Sequence, residues 1–106
     1  MRIKADFLAE EGYTVLVPDL FWRTAPRIEL GYTEQDFQKA FELYQHYDED
    51  QGVEDIQDSL NFLKTLESCD ASAGLGVVGY CLGGKLAYLA GCRIPEVACA
   101  VGYYGV

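Results

Sequence analysis

A short glycine-rich turn between an apolar run and a helical segment is the feature that most constrains this chain. Residues 77–84 read VVGYCLGG, so a buried strand is predicted to run through a Gly-x-Cys-x-Gly turn directly into a helix. Such a turn is sharp, and its central residue, Cys81, is predicted to have a strained backbone conformation. We expect Gly79 and Gly83 to leave room where a β-carbon would crowd the turn.

The position of Cys81 in this turn predicts a nucleophile. At the start of a helix, the peptide dipoles and the free N–H groups favour a thiolate over a thiol. The backbone N–H of Leu82 can then serve as one half of an oxyanion hole. A structural cysteine in any tight glycine turn would show the same local pattern, but the strand before it and the helix after it favour the nucleophile.

Outside this turn, helical and strand-like patterns alternate along the chain. Val53, Ile56 and Leu60 recur at three- and four-residue spacing, and 33–36 resembles a capping box. The patterns predict helices at 2–11, 33–44, 49–67 and 82–90, and short buried strands at 13–18, 75–78 and 97–101. This alternation predicts an α/β fold, a mostly parallel sheet covered by helices, in one domain spanning residues 1–106.

Charge and hydropathy disfavour several classes of function. The chain has 8 Lys and Arg against 17 Asp and Glu, a formal net charge of -9, which disfavours binding to nucleic acid or to an anionic membrane surface. No stretch reaches the roughly 18 apolar residues of a membrane span, and the first residues do not resemble an export signal. We therefore expect a cytoplasmic location.

The four cysteines do not form a recognisable metal motif. No pair has C-x-x-C spacing, which argues against zinc and against thioredoxin-type chemistry. Without an export signal, disulfides are also disfavoured. Cys69, Cys92 and Cys99 are therefore expected to be free and buried as small apolar side chains.

Together, the turn and several other segments resemble the dienelactone hydrolase (carboxymethylenebutenolidase) family of the α/β-hydrolase superfamily. The matching segments follow one another in order at 12–13, 18–23, 25–26, 40–45, 50–53, 79–84 and 102–105. The resemblance implies a partial α/β-hydrolase fold. It also implies hydrolysis of a small-molecule ester or lactone, with Cys81 as the nucleophile and without a metal or a cofactor.

The other two members of the family's catalytic triad are not found in these residues. The triad order is nucleophile, acid, histidine, whereas His46 precedes Cys81 and the only later acid, Glu96, does not match the family's aspartate. We therefore expect the chain to correspond to an internal fragment, without the N-terminal strands and the C-terminal part, and to be inactive as it stands. The family's substrate-binding arginine is also absent from 33–44. Arg23 and Arg27 are candidates either for an anion contact or for surface ion pairs.

Two alternatives to a hydrolase remain open. One is a non-catalytic module that associates with a partner chain, or with itself, through exposed sheet edges. The other is a redox-responsive thiol protein centred on Cys81.

Overall fold

Four α-helices, a short 3-10 helix and a two-stranded parallel sheet make up the regular structure of the described residues. The computed structural model describes residues 2–24, 28 and 30–106. Its elements in chain order are α1 (Arg2–Glu10), α2 (Glu34–Gln45), α3 (Glu49–Leu63), a short 3-10 helix (Ala71–Ala73), β1 (Leu75–Tyr80), α4 (Leu82–Arg93) and β2 (Val97–Tyr103).

Side-chain caps start the second and third helices where the sequence predicts them. The Thr33 hydroxyl accepts a hydrogen bond from the Asp36 N–H at 3.1 Å, and the Asp48 carboxylate accepts from the N–H of Asp50 at 3.0 Å. Each cap satisfies an N–H that has no acceptor within its own helix. α1 ends at Glu10 and is followed by Gly12 with a φ of 101°, which confirms the glycine stop predicted there.

The predicted ends of α3 and α4 were wrong. α3 ends at Leu63 rather than at residue 67, because the chain turns there and the Thr65 hydroxyl donates to the Phe62 carbonyl at 2.6 Å. α4 continues through Gly91 to Arg93. A β-carbon on Gly91 would lie 3.0 Å from that of Ala100, so this glycine permits close helix–strand packing and does not end the helix.

The two strands and α4 form a β-α-β unit. β1 and β2 pair in parallel, with partners running from Gly76 and Cys99 to Tyr80 and Tyr103, and α4 connects them. This arrangement confirms the predicted parallel sheet with helices against it. Both strands extend two residues beyond the predicted ends at 78 and 101.

The core lies between α3, α4 and one face of this sheet. Its buried side chains belong to Val53, Leu60, Leu75, Ala90 and Ile94. These residues include two members of the predicted apolar stripe of α3. Leu86 of α4 is the most deeply buried large side chain, at 1% exposure.

The strand predicted at 13–18 is not present. In the part of the chain that the structure describes, the sheet contains only β1 and β2, and residues 13–19 have no regular secondary structure. The Thr14 hydroxyl donates to the Ser68 carbonyl at 2.8 Å, but no strand among the described residues forms the ladder of hydrogen bonds that would make this segment a strand. The apolar pattern of this segment is typical of a strand, but the prediction was wrong because strand pairing depends on a partner that no local pattern specifies.

The apolar faces of the first two helices are exposed. Ile3 and Phe7 of α1 are 85% and 63% exposed, and Phe37 and Phe41 of α2 are 60% and 61% exposed. In α2 no residue is buried. The predicted helices therefore form with the predicted periodicity, but their apolar stripes do not contribute to the core described above.

No described helix is both long and apolar enough to cross a membrane.

Candidate active site

Cys81 lies at the tip of the turn between β1 and α4, as the sequence predicts. Its φ of 56° and ψ of -120° place it outside the regions that non-glycine residues normally occupy. Its side chain is exposed and makes no capping hydrogen bond to α4. The strained backbone thus presents the sulfur to solvent at the N-terminus of a helix, where developing negative charge is stabilised.

The two glycines that flank Cys81 have different roles. A β-carbon on Gly79 would lie 1.9 Å from the Gly83 carbonyl oxygen, so no other residue fits at this position without moving the backbone. A β-carbon on Gly83 would have no described atom within 4 Å. The expectation of crowding is therefore confirmed at Gly79 and was wrong at Gly83, because the turn brings the Gly83 backbone, rather than its α-hydrogens, against the strand.

The backbone of Cys81 is held on both sides. Its N–H donates to the Tyr103 carbonyl at 2.9 Å, which continues the β1–β2 ladder by one residue, and its carbonyl accepts from the Lys85 N–H at 3.2 Å. Leu82 is the first residue of α4, where an N–H has no acceptor within the helix. The Leu82 N–H therefore has no acceptor within α4, whereas the Cys81 N–H is already bonded to the Tyr103 carbonyl.

Aromatic rings flank the strand ends next to the turn. The rings of Tyr80 and Tyr103 stack at a centroid distance of 4.9 Å with 9° between their planes. The ammonium group of Lys4 in α1 lies 4.5 Å from the centre of the Tyr80 ring. This cation–π contact connects α1 to the carboxyl end of the sheet, where Cys81 lies.

Neither His46 nor Glu96 is placed as a triad partner of Cys81. His46 is exposed at the C-terminal cap of α2. Glu96 precedes β2 and therefore lies at the opposite end of the sheet from Cys81. A strand of six residues, such as β1, is about 20 Å long, so Glu96 and Cys81 are separated by about that distance. Its carboxylate accepts from Lys64 at 2.5 Å and from Gln57 at 2.6 Å, and these bonds lower the pKa of Glu96. Glu96 thus connects β2 to α3 by an ion pair.

Arg23 forms an ion pair and is not free to bind an anion. Its guanidinium donates two hydrogen bonds to the Asp55 carboxylate, at 2.5 and 2.8 Å, and lies over the Trp22 ring. The hydrogen bonds to Asp55 raise the pKa of Arg23. Of the two alternatives for this residue, the structure therefore supports the ion pair. Arg27 lies outside the described residues.

The cysteines are free, but none of the three that were expected to be buried is fully buried. Cys69 is half-buried, whereas Cys92 and Cys99 are exposed, like Cys81. Cys92 and Cys99 line an open groove of about 660 Å³ between α4 and the outer side of β2. They are exposed because no described residue fills this groove.

The family model for the dienelactone hydrolase family matches residues 1–106. The chain belongs to the dienelactone hydrolase family. It is 38% identical to a carboxymethylenebutenolidase of Pseudomonas sp. strain P51, over 94% of this chain and 41% of that protein. It is 35% identical to carboxymethylenebutenolidase 1 of Cupriavidus pinatubonensis and 37% identical to a carboxymethylenebutenolidase of Pseudomonas putida, in each case over 100% of this chain and 44% of the relative. The chain thus spans less than half the length of these curated relatives.

Family membership confirms the resemblance and the predicted fold class. Several features of the site were not predicted from the sequence, namely the Tyr103 carbonyl as acceptor and the close backbone contacts of Gly84, Gly102 and Gly105. The spacing of glycines in 102–105 was the only local sign of them, and their contacts depend on how β2 lies against α4.

Proposed function

We propose that this chain carries the nucleophile of a hydrolase that opens ester or lactone bonds of small molecules, with the Cys81 sulfur as the attacking atom. The observation that carries the proposal is the backbone of Cys81, a non-glycine residue with a positive φ at the junction of β1 and α4. Strain of this kind persists where the surrounding structure enforces it and is concentrated at functional sites. The names of the relatives support a carboxymethylenebutenolidase-like activity.

The proposed reaction begins with attack of the Cys81 thiolate on the carbonyl carbon. A carbon–sulfur bond forms while the π electrons move to the carbonyl oxygen, where the Leu82 N–H donates a hydrogen bond. When the carbonyl re-forms, the carbon–oxygen bond to the leaving group breaks and the leaving group departs with its electron pair. A thioester remains on Cys81, and its hydrolysis by water would restore the thiol.

We further propose that residues 1–106 alone stop at this thioester. General-base help speeds hydrolysis of an acyl intermediate, and the usual base is a histidine. His46 is the one histidine in the sequence, and it lies at the end of α2 rather than in the turn that holds Cys81. With an ester that has a good leaving group, we therefore expect rapid release of one equivalent of alcohol per chain, followed by slow turnover.

The test is the burst of p-nitrophenolate released from p-nitrophenyl acetate by the chain and two variants. Wild type and Cys92→Ala should release about one equivalent rapidly, whereas Cys81→Ala should show no burst above the rate of its remaining thiols. Cys92 is the matched control because it is an exposed thiol on the same helix. An equal burst from Cys81→Ala would refute the nucleophile assignment.

Self-association is a second candidate property, supported by the composition of β2. Residues 97–103 read VACAVGY, without a charge or a proline, and β1 pairs with only one edge of this strand. Uncharged edges of this kind pair readily with further strands. We propose that two copies associate through β2. A second copy is favoured because an edge strand can pair with the same strand of another copy.

Sedimentation at increasing protein concentration tests this proposal and should show a rising fraction of dimer. A monomer at all concentrations would exclude it.

A further inference from the structure

Three glycines outside the Gly-x-Cys-x-Gly turn bring the end of β2 against the first turn of α4. A β-carbon on Gly84 would lie 2.7 Å from the Tyr103 carbonyl oxygen, and one on Gly102 would lie 2.7 Å from the Gly84 carbonyl oxygen. A β-carbon on Gly105 would lie 2.9 Å from the Lys85 nitrogen. All three contacts are with backbone atoms, which cannot move aside as a flexible side chain does.

The atoms that these glycines accommodate are the atoms that hold Cys81. The Tyr103 carbonyl, which faces Gly84, accepts the Cys81 N–H at 2.9 Å. The Lys85 nitrogen, which faces Gly105, donates to the Cys81 carbonyl at 3.2 Å. Both peptide groups of the strained residue are therefore bonded to atoms whose positions depend on a missing β-carbon.

We propose that Gly84, Gly102 and Gly105 are positioning residues for the nucleophile, which set the direction of the Leu82 N–H relative to the Cys81 sulfur. This inference rests on the function proposed above. None of the three has a positive φ, so each is required for space and not for its conformational freedom. An alanine there would act by pushing β2 and α4 apart.

The consequence for chemistry is specific to reactions that need an oxyanion. A displaced peptide at residues 81–82 misdirects the Leu82 N–H, and donors aimed at an oxyanion are sensitive to such shifts. Alkylation of the same sulfur by iodoacetamide passes through no oxyanion. Acetylation therefore depends on both the direction of the Leu82 N–H and the accessibility of the thiol, whereas alkylation depends on accessibility alone.

The experiment compares wild type, Gly105→Ala and Gly102→Ala in the full 106-residue chain. Acetylation by p-nitrophenyl acetate and alkylation by iodoacetamide are followed at Cys81 by peptide mass spectrometry, with the exposed thiol of Cys92 as internal reference. Gly91→Ala is the matched control. Its β-carbon would press on Ala100 in the same α4–β2 interface, at 3.0 Å, but away from Cys81.

We expect Gly105→Ala and Gly102→Ala to lower acetylation of Cys81 about tenfold relative to Cys92, with alkylation changed less than about twofold and Gly91→Ala close to wild type. Unchanged acetylation in both variants would overturn the positioning role while leaving Cys81 as the nucleophile. An equal loss of acetylation and alkylation, or the same loss in Gly91→Ala, would show general loosening and also overturn it. A wild-type Cys81 acetylated no faster than Cys92 would refute the proposed function as well.

Discussion

The helices in both halves of the chain have apolar residues at helical spacing. Among the described residues, these apolar side chains are buried in residues 49–103 but not in residues 2–48. All seven buried apolar residues of the described chain lie between Val53 and Ile94. Every well-packed pair of helices and strands also belongs to the α3, β1, α4 and β2 unit. In residues 2–48, by contrast, Ile3, Phe7 and Phe41 are mostly exposed.

This difference shows which part of the chain holds the residues of the candidate site in place. A nucleophile in a strained conformation needs surrounding structure that enforces it, and Cys81 lies between β1 and α4, within the packed region. The first region reaches the second through a few polar contacts, such as those of Arg23 with Asp55 and of Lys4 with Tyr80. We therefore expect mutations to have very different effects in the two regions.

The largest expected difference is between two truncations of apolar side chains. Leu86→Ala should lower the free energy of unfolding by about 2–5 kcal/mol, because it leaves a cavity at a site that is 1% exposed. Phe41→Ala, at 61% exposure, should change it by no more than about 0.5 kcal/mol. Urea unfolding followed by circular dichroism measures both. Comparable losses would mean that α2 is packed as firmly as α4.

A smaller effect is expected from the ion pair that joins the two regions. Arg23→Gln removes both hydrogen bonds to Asp55 and should lower the free energy of unfolding slightly at low salt, and less in high salt, because the exposed pair is screened by solvent and ions. Lys39→Gln on exposed α2 changes the net charge equally and is the control. Urea titrations at two salt concentrations give the comparison. If both variants lose the same stability, the effect comes from net charge rather than from this pair.

The smallest effect is expected at Tyr47, whose hydroxyl is buried without a hydrogen-bond partner among the described residues. The ring packs on Phe21, in the first region, with centroids 5.3 Å apart, while a β-carbon on Gly52 of α3 would lie 2.6 Å from the hydroxyl oxygen. Burial raises the pKa of Tyr47, as expected for a group that loses solvation when charged.

Tyr47→Phe should leave the free energy of unfolding unchanged or raise it by up to about 1 kcal/mol, because an unsatisfied polar group is removed. Tyr32→Phe, at a side chain that is 92% exposed, serves as the control in the same urea experiment. A clear loss of stability in Tyr47→Phe alone would reveal a partner for the hydroxyl.

The comparison of the two regions also explains which predictions from the sequence succeeded. Helix starts at Thr33 and Asp48 and the turn at Cys81 were predicted because caps and tight turns depend on residues a few positions apart. The strand at 13–18 was not formed, because a strand requires hydrogen bonds from a distant segment.

The site was predictable to the same extent. Cys81, Leu82 and Gly79 follow from one local motif. The backbone of Cys81 and the crowding at Gly79 have the predicted geometry, whereas the catalytic roles of Cys81 and Leu82 stay predictions. The Tyr103 carbonyl and the glycines of 102–105 enter the site only through the register of β2 against β1, which no local pattern fixes. Gly83 was assigned to crowding by the motif alone, although the space beside it is open in the described structure. The cytoplasmic location, the single-domain organisation and the redox alternative stay predictions.

The most direct test of the central claim maps which cysteine attacks an ester. The chain is treated at neutral pH with one equivalent of p-nitrophenyl acetate, and the acetylated residue is identified by peptide mass spectrometry. Cys81, Cys92 and Cys99 are all exposed, so accessibility alone would distribute the label among the three. The structure predicts that Cys81 carries most of the acetyl groups, since it alone lies beside the Leu82 N–H at the start of a helix. An equal distribution would contradict Cys81 as the nucleophile.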